Sequence, residues 1–231
     1  MNKTSAWIFD VDGTLADTER EGHLPAFNDA FKLAGLDWHW TPELYGSLLN
    51  VTGGKERIRF YANEHDPEFL KRDDADAIIR KIHEEKTRLY VQRVSSGAIP
   101  LRPGVLDMLS VGHQAGIRLA IATTTTAENV DALLKAVMPT GADQWFEVIG
   151  AGDVVPRKKP APDIYLWVLD RLGLEPESCL AIEDSENGLQ ASLAAGLPTL
   201  VTVNGYTRGQ NFKGALRVVD SMALIRPADF C

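Results

Sequence analysis

Six short apolar runs limit what this chain can fold into more than any other feature. They lie at 6–9, 119–122, 148–151, 180–182, 200–203 and 216–219. Between the later runs, apolar side chains recur at helical spacing over 105–115, 129–137, 162–172 and 186–195. Strands alternating with helices predict an α/β fold, a doubly wound, Rossmann-like parallel sheet with helices on both faces. In such sheets ligands gather outside the carboxyl ends of the strands, so functional side chains are expected just after each apolar run.

The alternation breaks between the first two runs. Residues 18–96 hold no convincing strand, and their clearest pattern is Ile78, Ile79, Ile82, Leu89, Tyr90 and Val94 at helical spacing. Asp73, Asp74 and Asp76 lie near the start of that helix, where negative charge suits the dipole. A stretch this long is too big for a loop. The expected division is a core from 1–17 and 97–231 with a helical cap, 18–96, inserted between. Ser95-Ser96-Gly97 and Arg102-Pro103-Gly104 supply the linker and turn signals for the return.

Bulk properties narrow the class of function. The chain has 231 residues and a net charge of -8, which argues against nonspecific nucleic-acid binding. An anionic substrate would have to find a locally positive pocket. Two cysteines make no disulfide framework, and Cys179, opening an apolar run, fits a buried thiol. Met1 to Ser5 lead straight into the first strand without an apolar leader, and no apolar run reaches the ~20 residues of a membrane span. A reducing, soluble, cytoplasmic protein with no membrane or nucleic-acid partner is expected; a monomer is compatible with this.

The chemistry centres on Asp10-Val11-Asp12-Gly13-Thr14, directly after the first strand. A strand's period of two can place Asp10 and Asp12 on one side. Converging carboxylates are costly without a cation, and hard oxygen ligands suit Mg²⁺. One such carboxylate can attack phosphorus and the other can move the proton. A calcium-binding EF-hand loop also wants alternating acids, with Glu21 at the right distance, but Leu15 stands where its glycine is needed.

Later run ends complete the set. Thr123 follows the second run, where its hydroxyl can bond a phosphate oxygen. Thr124, Thr125 and Thr126 either add donors or open a helix. Lys159 sits beside Pro160, which fixes its direction, and Glu183 and Asp184 end the fourth run, as metal ligands or their neighbours should. Gly53-Gly54-Lys55 is no nucleotide P-loop, because Leu49 and Glu56 stand at its required glycine and hydroxyl positions. It is either a helix-start turn or a cap lysine reaching a distal phosphate. Arg208 is a further phosphate candidate. Trp7, Trp38, Trp40, Trp145 and Trp167 are scattered, as core residues are.

Asp10–Thr14, Thr123, Lys159-Pro160 and Glu183-Asp184 together resemble the four motifs of the haloacid dehalogenase superfamily. The resemblance implies Asp10 as nucleophile and Asp12 as general acid/base with its main-chain carbonyl on the metal. It also implies Thr123 and Lys159 on the phosphoryl group and Asp184 in a magnesium shell. Glu19, 23–28, 52–58, 122–125, 182–188 and Tyr206-Thr207-Arg208 are similar to CbbY-type proteins. That likeness implies a Mg²⁺-dependent sugar phosphatase converting xylulose 1,5-bisphosphate to xylulose 5-phosphate. Glu19, His23, Lys55, Thr125 and Arg208 become candidate substrate contacts. The rivals are a phosphomutase similar to β-phosphoglucomutase and a receiver-like phospho-acceptor module, against which the inserted helices count.

Overall fold

The structure, a computed structural model, describes residues 4–231, so Met1, Asn2 and Lys3 of the expected leaderless start lie outside it. The strands are β1 (Ala6–Phe9), β2 (Arg118–Ala122), β3 (Phe146–Gly150), β4 (Cys179–Glu183), β5 (Thr199–Thr202) and β6 (Arg217–Val219). They form one sheet in the order β3-β2-β1-β4-β5-β6, and every neighbouring pair is parallel. The expected doubly wound sheet is therefore the fold.

Two edges differ from expectation. β3 begins at Phe146 instead of 148, because an edge strand keeps polar Glu147 facing solvent, where it pairs with Arg118. β6 likewise starts at exposed Arg217.

Five helices fall between β1 and the helix that precedes β2: α1 (Leu24–Leu33), α2 (Pro42–Leu48), α3 (Gly54–His65), α4 (Pro67–Leu70) and α5 (Ala75–Ser95). A π-helical turn, Glu19–His23, leads into α1. The remaining helices, α6 (Val105–Gln114), α7 (Ala127–Val137), α8 (Asp163–Leu172) and α9 (Glu186–Ala194), separate the strands of the sheet.

β1 shows how the sheet is buried on both faces. Trp7 and Phe9 join one cluster with Met108 and Leu109 of α6 and Leu133 of α7, while Ala6 and Ile8 join another with Ile164 and Val168 of α8. Alternate residues pointing to opposite faces produce this division, and apolar side chains on both explain the unbroken run.

A third cluster gathers Phe27, Phe31, Trp38, Trp40, Tyr45 and Tyr61 of the inserted stretch. Helix α5 belongs to both regions: Ile79 and Ile82 pack in the aromatic cluster, whereas Tyr90 and Val94 pack with Trp7 and Phe9. Its buried stripe runs Ile79, Ile82, Lys86, Tyr90, Val94. No helix among the described residues is long and apolar enough to cross a membrane.

Candidate active site

Strand register brings the first carboxylates together. Phe9 pairs with Ile121 on one side and Ile182 on the other, so Asp10 comes level with Ala122 and Glu183. Lys159 ties these three strand ends. Its Nζ donates to Asp10 Oδ1 at 2.7 Å, the Ala122 carbonyl at 2.8 Å and Glu183 Oε1 at 2.6 Å. The Lys159–Pro160 bond is cis. Burial favours a neutral amine, yet Asp10 and Glu183 outweigh it and hold the Lys159 ammonium charged.

Glu183 is wholly buried. The Tyr165 hydroxyl donates to its Oε1 at 2.5 Å and the Asp184 amide to its Oε2 at 3.2 Å. A helical Gly188 is needed behind it, since a Cβ there would lie 2.0 Å from Glu183 Oε2. Ser185 then caps α9 by accepting from the Gly188 amide at 3.1 Å. Strand end, acids and helix start thus follow within a few residues.

Carboxylate oxygens of Asp10, Glu183 and Asp184 lie within 4.8 Å of one another, all buried. Burial pushes Asp10 up to about 8 against the pull of Lys159, with Glu183 and Asp12 adding to the rise. Burial, Asp10 and Glu183 push Asp184 well above the carboxylate range. One ammonium does not offset three acids, so the oxygen donor set fits a hard divalent cation such as Mg²⁺. Glu183 already serves Lys159 and Tyr165, which leaves Asp10 and Asp184 as the freer donors.

Asp12 is engaged differently. Its Oδ1 accepts from the Thr18 hydroxyl at 2.5 Å and lies 2.9 Å from His23 Nε2. His23 Nδ1 lies 2.8 Å from Lys86 Nζ, and the His23 ring stacks on Tyr90. Burial raises the Asp12 carboxyl, but His23, Thr18 and Lys86 outweigh it and hold it near 2. Burial in turn lowers Lys86 to about 8 in spite of Asp12 and Glu19.

Two adjoining cavities share Asp12, Glu19, Arg57 and Thr124 as walls. The first also holds Asp10, Thr123, Lys159, Asp184 and Asn204, and the second His23, Lys55, Thr125 and Lys158. Thr123 Oγ1 accepts from the Thr125 amide at 3.3 Å, Thr125 Oγ1 from Asn129 Nδ2 at 2.9 Å, and Thr126 caps α7. The threonine run therefore both lines the site and opens a helix. Glu19 accepts a short bond from the Tyr45 hydroxyl, to which Arg57 donates at 3.0 Å.

Lys55 borders the second cavity, but its Nζ is bonded to Asp153 Oδ2 at 2.8 Å, while Lys158 holds Oδ1 of the same carboxylate at 2.7 Å. The preceding glycines have separate causes. Gly53 has φ +99°, and a Cβ on Gly54 would lie 2.6 Å from the His83 ring. Arg208 is not brought to the site: it is largely exposed, paired with Asp220 at 2.5 Å, and lines neither cavity.

Sequence reasoning missed Arg57, Lys86, Tyr165 and Asn204. For two of these a signal existed. Arg57 and Lys86 occupy positions on the buried stripes of α3 and α5, where a charged residue must have a partner. Tyr165 and Asn204 meet the site only through the tertiary fold.

The family model for haloacid dehalogenase-like hydrolases matches residues 4–196. The chain belongs to that family and is a phosphoric monoester hydrolase with its α/β core. The plasmid form of protein CbbY from Cupriavidus necator is 52% identical over 217 residues, spanning 93% of this chain and 84% of that protein. CbbY from Rhodobacter sphaeroides, crystallised with phosphate, superposes with a TM-score of 0.88 at 47% identity, covering 96% of each chain. An aspartate-to-asparagine variant of that protein in complex with xylulose-(1,5)bisphosphate matches with the same figures. Within the family, then, the chain stands among the CbbY-type proteins.

Proposed function

We propose that this protein hydrolyses a sugar bisphosphate, xylulose 1,5-bisphosphate, to xylulose 5-phosphate through a phosphoenzyme on Asp10. The observation that carries the reading is the Asp10–Lys159–Glu183 cluster beside Asp184, at the mouth of the sheet in a CbbY-type chain. In the reaction an Asp10 oxygen attacks phosphorus, the bond from phosphorus to the ester oxygen breaks, and that oxygen takes a proton from Asp12. Water then gives a proton to Asp12 and attacks the same phosphorus, releasing phosphate and restoring Asp10. The Thr18 and His23 contacts favour ionised Asp12, so the resting arrangement is set for proton acceptance. Donation requires those contacts to give way.

Lys159 and the Thr123 hydroxyl would hold the transferring group. Asp10, Asp184 and the Asp12 carbonyl would hold Mg²⁺, with Glu183 orienting Lys159. Bound there, the cation would offset charge on the phosphoryl oxygens. Residues 18–96 would act as a cap over 1–17 and 97–231. The second cavity, with Lys55 and Lys158, suits the distal phosphate once it displaces Asp153 from the lysines, and Glu19, His23 and Thr125 would line the sugar. An anion binding to a chain of net charge -8 needs local positive charge, which Lys55, Arg57 and Lys158 supply in that cavity.

EDTA is expected to abolish phosphate release and Mg²⁺ to restore it, and Asp184→Ala should raise the Mg²⁺ needed for half-maximal turnover by at least about tenfold. Turnover surviving exhaustive chelation would remove the metal from the account.

A further inference from the structure

Arg102 follows Leu101, which bridges to Ala16 in antiparallel fashion, and its amide donates to the Leu15 carbonyl at 2.8 Å. These contacts carry the side chain beneath the turn that bears the catalytic aspartates. There its guanidinium is nearly buried and all three of its nitrogens are engaged. Nη1 donates to the Gly13 carbonyl in a short bond and to Thr202 O at 3.1 Å, and Nη2 donates to Val203 O at 2.6 Å. Nε lies 3.2 Å from Asp17 Oδ1, the one carboxylate in the set and itself largely exposed.

Gly13 lies between the two halves of the acid cluster. It has φ +85°, and a Cβ there would sit 2.4 Å from Asp184 Oδ2 and 2.6 Å from Asn204 Nδ2. Asn204 follows β5 and donates to Asp184 Oδ2 at 2.7 Å and to the Gly13 carbonyl at 3.4 Å. Arg102 thus grips one peptide on the Asp10–Asp12 side and two carbonyls just ahead of Asn204 on the Asp184 side. A buried guanidinium held mainly by neutral carbonyls is a weak source of stability. Its planar, multi-donor geometry is what fixes several carbonyls at set distances.

We propose that Arg102 is a positioning residue for the metal site, setting the separation between the Asp10–Gly13 turn and the Asn204–Asp184 pair. This rests on the proposed Mg²⁺ site and adds to it a residue that touches neither metal nor substrate. Removing a partner that orients ligands typically weakens metal affinity 10–100-fold. Titration calorimetry of Mg²⁺ into the protein without substrate gives the readout.

Arg102→Lys keeps the charge but loses the fork, and Arg102→Gln keeps part of the reach as a second variant. Both are expected to bind Mg²⁺ at least about tenfold more weakly, with turnover recovering as Mg²⁺ is raised. Asp17→Asn should stay within about twofold of the parent, since the carbonyl contacts carry the effect. Arg118→Lys, a control that breaks a guanidinium fork to Glu147 and Leu172 O far from the acids, should do the same. Mg²⁺ affinity of the Arg102 variants within twofold of the parent would overturn the assignment, as would an equal loss in Arg118→Lys. A parent protein that binds no Mg²⁺ would instead remove the metal site on which the assignment rests.

Discussion

Asp10→Asn is expected to lower phosphate release by at least about four orders of magnitude without destabilising the fold. The amide matches the carboxylate in shape but cannot attack phosphorus, and loss of a nucleophile typically costs this much or more. Stability follows from the charges. Asp10 is raised from 3.8 to about 8 by burial first and by Glu183 and Asp12 after it, against the opposing pull of Lys159. An acid whose folded pKa exceeds its unfolded one weakens the native state progressively as pH rises through that window. Asparagine carries no such charge, and Lys159 keeps its bonds to Glu183 and the Ala122 carbonyl. In metal-free buffer near neutral pH the variant's thermal midpoint should equal or exceed the parent's. A marked fall would mean that Asp10 is part of the scaffold.

Lys159→Met should show the opposite pairing, with activity and stability lost together. It leaves Glu183 buried, with Asp10 and Asp184 nearby and no ammonium among them. Removing one partner of a buried ion pair typically costs about 3–5 kcal/mol. If Lys159 holds the phosphoryl group as proposed, loss of that preorganised cation should lower turnover by a further factor of roughly 10²–10³. Adding Glu183→Gln to Lys159→Met should recover much of the stability and none of the activity. If the double variant melts no higher than the single one, the coupling between Lys159 and Glu183 is not what stabilises this part of the sheet.

The sequence was most informative where burial is symmetric. β1, β2 and β4 are covered on both faces, so their apolar runs stood out and the acids after them marked the mouth of the sheet. At the edges the signal weakened: β3 carries Glu147 and β6 carries Arg217 to solvent, which shortened one run and moved its start. Most of the inserted helices were invisible for a related reason. Helix α3 buries Arg57 beside Ile58, Tyr61 and Ala62, and α2 buries little beyond Tyr45 and Leu48, so neither shows a long apolar stripe.

Site residues followed the same division. Asp10, Lys159, Glu183 and Asp184 lie at strand ends or beside a proline and came together as their spacing suggested. Asp153, which holds Lys55, and Asn204, which holds Asp184, act from segments with no local mark of their role. Arg208 shows the converse: a basic residue after Gly205-Tyr206 looked placed for phosphate, but it lies on the surface within reach of Asp220.

The most direct test follows free phosphate and the sugar product together when xylulose 1,5-bisphosphate and sugar monophosphates are supplied with Mg²⁺. One phosphate released for each xylulose 5-phosphate formed is expected, with the bisphosphate preferred if its second phosphate engages the Lys55–Lys158 cavity as proposed. Isomerised sugar phosphate without free phosphate, as a mutase would give, or preference for monophosphates would contradict the proposed function.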